Sequence, residues 1–167
     1  MPHISIISSS VRTGRNSQRV ALYLKKYLSE NNLVTTEILD LKEYNFPIFD
    51  ERLSKQNNPN ANALEFAKKI KLSDGIIIVT PEYNGGYPAS LKNIIDLLYD
   101  EWHRKPVAIS TVSITNFGGS QVITSLQFSL WKMHAWVVSA TFPIPKVQET
   151  FGEAGKLIHR FGRLYPY

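Results

Sequence analysis

The sequence predicts an α/β domain built on a five-stranded parallel sheet with helices on both faces. Three observations predict it. Short β-branched runs recur along the chain, and several, such as the run opening at Gly75, "GIIIVT", are apolar throughout, as strands covered on both faces are. The stretches between them carry helical spacing, which is the pattern of strand, crossover helix and parallel strand. The loops leaving the runs are rich in Gly, Ser, Asn and Tyr, as ligand-holding strand ends are.

His3–Ser8 reads as the first strand, with no helical period around it. Ser17 then caps a helix whose apolar stripe is Val20, Ala21, Leu24 and Leu28, ending near Asn31 and Asn32. Val34–Leu39 is the second strand. The following stretch, "LKEYNFPIFDERLSKQNNPN", contains Pro47 and Pro59 and is too interrupted for one element, so it is read as an irregular lid or partner surface. Ala61–Leu72 has helical spacing at Leu64, Ala67 and Ile70, and Ile76–Thr80 is the third strand. A helix restarts at Pro88 with Leu91, Ile94, Ile95 and Leu98 on one side. The run "VAISTVS" after Pro106 is the fourth strand, a helix covers Ser120–His134, and Trp136–Phe142 is the fifth strand. Residues 1–167 are read as a single domain, with a short or missing last helix.

Composition narrows the chemistry. There is no cysteine, which excludes disulfides, thiolate nucleophiles, zinc–thiolate sites and iron–sulfur clusters. Redox chemistry here therefore requires a bound cofactor. The net charge of +5 comes from dispersed basic residues with no nucleic-acid recognition motif, so it is read as solvated surface that also attracts phosphorylated ligands. No apolar run approaches the ~20 residues of a bilayer span, and the first residues lack the pattern of a secretory leader, so a cytoplasmic protein without membrane contact is expected. His3, His103, His134 and His159 show no triad or metal spacing and are read as structural, with no metal site.

With strand order 2-1-3-4-5, the loops after strands one, three and four converge at the centre of the sheet's carboxyl edge. The first, "SSSVRTGRNS", combines hydroxyls, a helix N-terminus and the guanidinium groups of Arg12 and Arg15, which suits a doubly charged oxyanion. It matches neither G-x-x-x-x-G-K-[ST] nor G-x-G-x-x-G. The second, "TPEYNGGYP", offers glycines for close backbone approach, a tyrosine π face and an asparagine amide, which suits a flat heteroaromatic. The third, "SITNFGGSQ", repeats the glycine pair. Taken singly, each loop has a plainer account as a helix cap or a glycine turn. Taken together, phosphate at one end and a flat ring at the other describe a mononucleotide.

Residues 4–17, "ISIISSSVRTGRNS", and the stretch "TPEYNGGYPASLKNIIDLLY" resemble the two motifs of the NAD(P)H-dependent FMN reductase family, of flavodoxin-like fold, which includes quinone, azo-dye and chromate reductases. The likeness runs from about residue 3 to about 155. It implies that Ser10, Arg12, Arg15, Asn16 and Ser17 surround the phosphate of FMN, with Ser9 standing at the family's glycine position and its hydroxyl offered to the phosphate. By the same resemblance Pro81, Glu82, Tyr83, Asn84 and Gly85 line the isoalloxazine, and Ser113, Thr115 and Gly118 close its other side.

The implied activity passes electrons from NAD(P)H through FMN to a small-molecule acceptor, with no catalytic side chain assigned because the flavin performs the chemistry. A homodimer or homotetramer is implied, in which "LKN-x-x-D" at Leu91–Asp96 lies at the two-fold interface and Tyr44–Asn58 helps wall the partner's site. The alternative is a non-enzymatic FMN electron carrier or redox-responsive interaction protein using the same pocket. Flavodoxin-type carriers tend to be acidic, whereas this chain is basic.

Overall fold

The structure is a computed structural model, and it describes residues 1–158. Strands β1 (His3–Ser8), β2 (Thr35–Asp40), β3 (Gly75–Pro81), β4 (Pro106–Val112) and β5 (Trp136–Ile144) pair in parallel in the order β2-β1-β3-β4-β5. The long helices are α1 (Ser17–Glu30), α3 (Ala61–Leu72), α4 (Ala89–Leu97) and α5 (Gln121–Lys132). Single turns α2 (Leu41–Tyr44) and α6 (Val147–Thr150) follow β2 and β5. The flavodoxin-like topology read from the sequence is the one observed.

Alternation along each strand sends side chains to two cores. Ile7, Ile76, Ile78, Val107 and Ile109 meet Phe66, Ile70, Leu91, Ile94, Leu126 and Leu130 on the face covered by α3, α4 and α5. Ile6, Val79, Val112 and Ile144 meet Val20 and Ala21 of α1, together with Val147 and Phe151, on the other.

Some boundaries shift for physical reasons. Strand β5 runs through Pro143 to Ile144, past its expected end, because an edge strand has no outer neighbour to need the missing N–H. In α3 the buried stripe is Ala63, Phe66, Ala67 and Ile70, and Leu64 faces solvent. Leu98 is buried but forms the cap of α4 rather than part of it.

The chain after α6 returns to α1, where Phe151 packs on Tyr23 and Gly155 sits against Leu22 and Arg19. The expected short or missing last helix and His159 fall partly or wholly on residues 159–167, outside the described residues. Among the described residues, no helix is long and apolar enough to cross a membrane.

Candidate functional site

The first loop is anchored before it can meet a ligand. Ser9 N donates to Val79 O at 3.1 Å, extending the β1–β3 ladder by one residue, and Ser90 Oγ of α4 donates to Ser9 O at 2.5 Å. Ser9 does not take a positive φ, so its Cβ causes no backbone strain. The Arg15 guanidinium forms a two-pronged ion pair with Asp40, only 3% exposed, and donates to Ser10 O at 2.8 Å. Asp40 also accepts from Lys42 N at 3.0 Å, capping α2. One buried carboxylate therefore ties the end of β2 to the first loop. Arg12, by contrast, is exposed and has no carboxylate partner among the described residues.

The second loop is a tight hairpin. Tyr83 N donates to Gly86 O at 2.8 Å and Gly86 N to Tyr83 O at 3.1 Å, with Asn84 at φ 53 and Gly85 at φ 79. Positive φ at both central residues is what Asn-Gly supplies in a turn of this hand. The Tyr83 hydroxyl lies 2.7 Å from Ser10 Oγ, joining the first and second loops, and Tyr87 Oη lies 2.7 Å from Ser129 Oγ of α5.

The third loop is held by both neighbouring strands. Ser113 N donates to Ile144 O and Lys146 N to Thr115 O, each at 3.0 Å. Thr115 N donates to Ser113 Oγ at 3.2 Å. Gly118 and Gly119 have φ of 62 and 72; a Cβ on the first would meet Pro143 at 3.0 Å, and on the second Thr111 and Val112 at 3.3 Å.

The three loops enclose a cavity of about 300 Å³, within the range of small-ligand sites. Arg12, Arg15, Asn16 and Ser17 border it from the first loop, Pro81, Glu82 and Tyr83 from the second, and Ser113 and Thr115 from the third. Ser9, Ser10, Asn84, Gly85 and Gly118 do not border it. Ser10 braces Tyr83, Gly118 packs on β5, and Asn84 faces an open hollow shared with Arg12 and Glu82. The sequence assigned no role to Val112, Ile114, Phe117, Gln121 or Val147, and read Gly119 only as half of the repeated glycine pair; all of these also line the cavity. Ile114, Phe117 and Gly119 lay within the quoted third loop, but spacing does not tell which of its side chains turn inward. Asp40 was also missed; an acidic residue ending the second strand, across from a loop with two arginines, was its only signal.

The chemistry of the cavity is uneven. At one end lies the N-terminus of the 14-residue helix α1, with no side-chain cap. The Ser17 hydroxyl there is buried and has no hydrogen-bond partner among the described residues. Buried hydroxyls nearly always find a partner, so this donor is positioned for something the protein does not itself supply. With Arg12 unpaired beside it, this end fits an oxyanion. Pro81, Glu82 and Tyr83 of the second loop also border the cavity, and a tyrosine there suits a planar group with polar edges. The residues present therefore fit a phosphorylated ligand with a flat ring. Among the described residues no histidine borders this cavity: His3 joins a polar network with Thr35 and Glu37, and His103 packs edge-on to His134.

Comparison with known proteins was made on sequence and on structure. A family model described as NADPH-dependent FMN reductase matches residues 2–149. The NAD(P)H-dependent FMN reductase of Saccharomyces cerevisiae is 30% identical over 164 residues, covering 86% of this chain and 85% of that protein. A quinone reductase of Pseudomonas putida is 30% identical over 168 residues, covering 96% and 83%. In structure, the flavoenzyme NAD(P)H:(acceptor) oxidoreductase of Paracoccus denitrificans superposes with a TM-score of 0.76 at 21% identity, covering 95% of this chain and 87% of that one, a likeness of fold.

Proposed function

The chain belongs to the NADPH-dependent FMN reductase family, and from that premise we propose that it is an FMN-dependent reductase passing electrons from NAD(P)H to small-molecule acceptors. The observation that carries this reading is the buried, unpartnered Ser17 hydroxyl at an uncapped helix N-terminus beside unpaired Arg12, inside a cavity walled by Tyr83. FMN, when bound, supplies the redox chemistry by accepting electrons from the nicotinamide and returning them to an acceptor.

The protein's own residues bind and orient. Ser17, Asn16 and Arg12 hold the phosphate, the guanidinium through charge-assisted donors and the helix through its free amides. Arg15 acts one step back: its ion pair with Asp40 shapes the loop that presents these groups. Ser10 holds the Tyr83 hydroxyl and so sets the angle of the ring wall. Gly119 allows the third loop's backbone to approach without a Cβ in the way. No protein acid or base is assigned, since orientation and amide donors suffice for this chemistry. The relatives matched are named reductases, which favours turnover over the electron-carrier alternative.

The reading includes a cytoplasmic homodimer or homotetramer. What supports self-association is a groove of about 570 Å³ between α4 and the segment after α2, bordered by Phe46, Ile48, Phe49, Ala89 and Lys92. Ile48 there is 89% exposed. Asn93 clamps that segment to α4, donating to Pro47 O at 2.8 Å and accepting from Phe49 N at 2.6 Å. Light scattering of wild type and Ile48→Asp checks this: the variant is expected to fall to monomer, and a monomeric wild type sinks the interface.

The activity is tested by following NADPH consumption in air with FMN-loaded protein. Loaded protein that leaves the nicotinamide intact, with or without an added quinone, eliminates the reductase reading.

A further inference from the structure

The third loop holds two large apolar side chains in water. Ile114 is 65% exposed and Phe117 77%, and both border the cavity. Scattered apolar residues on a surface are ordinary, but a pair on one loop at the mouth of a ligand site is not scattered. Nor is the loop free to fold them away. It is pinned at Ser113 and Thr115 to the chain around Ile144 and Lys146, and at Gly118 and Gly119 its backbone lies close enough to β5 and β4 that a Cβ would be crowded. Its exit is fixed by Ser120 N donating to Phe117 O at 3.1 Å, which opens the approach to α5. The other aliphatic residues of the border, Val112 and Val147, are buried, so Ile114 and Phe117 form its exposed apolar lip, beside Arg12, Glu82 and Gln121.

We propose that Ile114 and Phe117 are the specificity-determining residues for the electron acceptor, gripping a flat, apolar, fused-ring quinone at the cavity mouth. The proposal rests on the reductase reading above and narrows it to an acceptor class. A phenyl ring offers such a ligand offset-stacked or edge contact, and the β-branched Ile114 offers a stiff flank that loses little freedom on binding. Neither side chain offers anything to a small, strongly hydrated anion. The overall reaction balances as NAD(P)H plus a proton plus quinone giving NAD(P)⁺ plus hydroquinone: two electrons and one proton leave the nicotinamide, and the second proton comes from water.

The test uses FMN-loaded wild type, Phe117→Ala, Ile114→Ala and the conservative Phe117→Trp. Turnover is compared with menadione, a fused-ring apolar quinone, and with ferricyanide, a small anion. Menadione binding to the oxidised holoprotein is measured separately by calorimetry, FMN affinity by fluorescence titration and assembly by light scattering. Each alanine variant is expected to lower the menadione-to-ferricyanide ratio of kcat/KM about tenfold and to weaken menadione binding to match, while Phe117→Trp retains both. An unchanged ratio or unchanged menadione binding overturns the proposal. Weakened FMN binding with an unchanged ratio assigns the lip to the cofactor instead, and a change of assembly assigns it to a subunit contact; either result overturns it. Wild type that oxidises NADPH with neither acceptor sinks the reductase reading and the lip with it.

Discussion

The two edges of the sheet use the same kinds of side chain to opposite ends. At the amino edge, His3 lies 2.9 Å from Thr35 Oγ1 and 3.2 Å from Glu37 Oε1, and Ser5 Oγ lies 2.6 Å from Ser73 Oγ. Lys69 bridges Glu37 and Glu65 at 3.2 and 2.9 Å, and Lys105 Nζ donates to Ser73 O at 2.5 Å. At the carboxyl edge, the Ser17 hydroxyl borders the cavity, is buried and has no partner among the described residues. A buried hydroxyl with a partner stabilises the fold, whereas one without costs stability until something else satisfies it. The difference therefore separates a structural edge from a ligand-holding one. It also implies that substitutions at the two edges are read by different instruments.

Asp40→Ala gives the largest effect and breaks the separation, because Asp40 serves both purposes. It strands the Arg15 guanidinium, only 14% exposed, without its carboxylate, and about 3–5 kcal/mol of stability is expected to be lost. Urea unfolding checks the loss, and FMN titration of the folded fraction is expected to show weakened binding as well. Next in size is Arg12→Ala, which removes an unpaired cation from the ligand edge. FMN affinity is expected to fall by about 2 kcal/mol with the urea midpoint unmoved, and unchanged affinity would place the phosphate elsewhere.

Ser17→Ala sharpens the comparison further. It deletes an orphaned hydroxyl, so FMN binding is expected to weaken by about 1 kcal/mol while the FMN-free protein is no less stable. A clear loss of stability in the FMN-free variant would mean that Ser17 has a structural partner after all.

The smallest effect belongs to the structural edge. The Lys69 hydrogen bond, and then its charge, holds the Glu65 carboxyl below its ordinary value. A carboxyl depressed in the folded state contributes stability above its unfolded value and loses it as pH falls through the folded one. Acid urea midpoints are therefore expected to drop less steeply in Lys69→Met than in wild type, with FMN affinity at neutral pH unchanged. A change in that affinity would show that the two edges are coupled.

Much of the fold was legible because it is written in local periodicity. Each of the five strands and the four long helices begins within a residue or two of the expected place, and the three loops meet as strand order requires. What escaped was nonlocal or sub-helical. Leu64 has the right spacing for the α3 stripe but sits at its border, and the bulkier Phe66 takes the core position. Pro143 looks like a strand stop until β5 is known to be an edge. In the site, residue types were readable while their commitments were not. Arg12 and Arg15 look alike in the sequence, and only the fold shows that Asp40, 25 residues from Arg15, takes one and leaves the other. Likewise, the quoted "SITNFGGSQ" contained Phe117 and Ile114, but their direction follows from the pinning of the loop by β5, which lies later in the chain.

The link from Arg15 to Asp40 bears on how this protein handles its cargo. Since the loop is shaped by an internal ion pair, little of it has to order around a ligand. Lower ordering cost favours retention, so the ligand is expected to leave slowly, release being the rate in which affinity differences mostly lie.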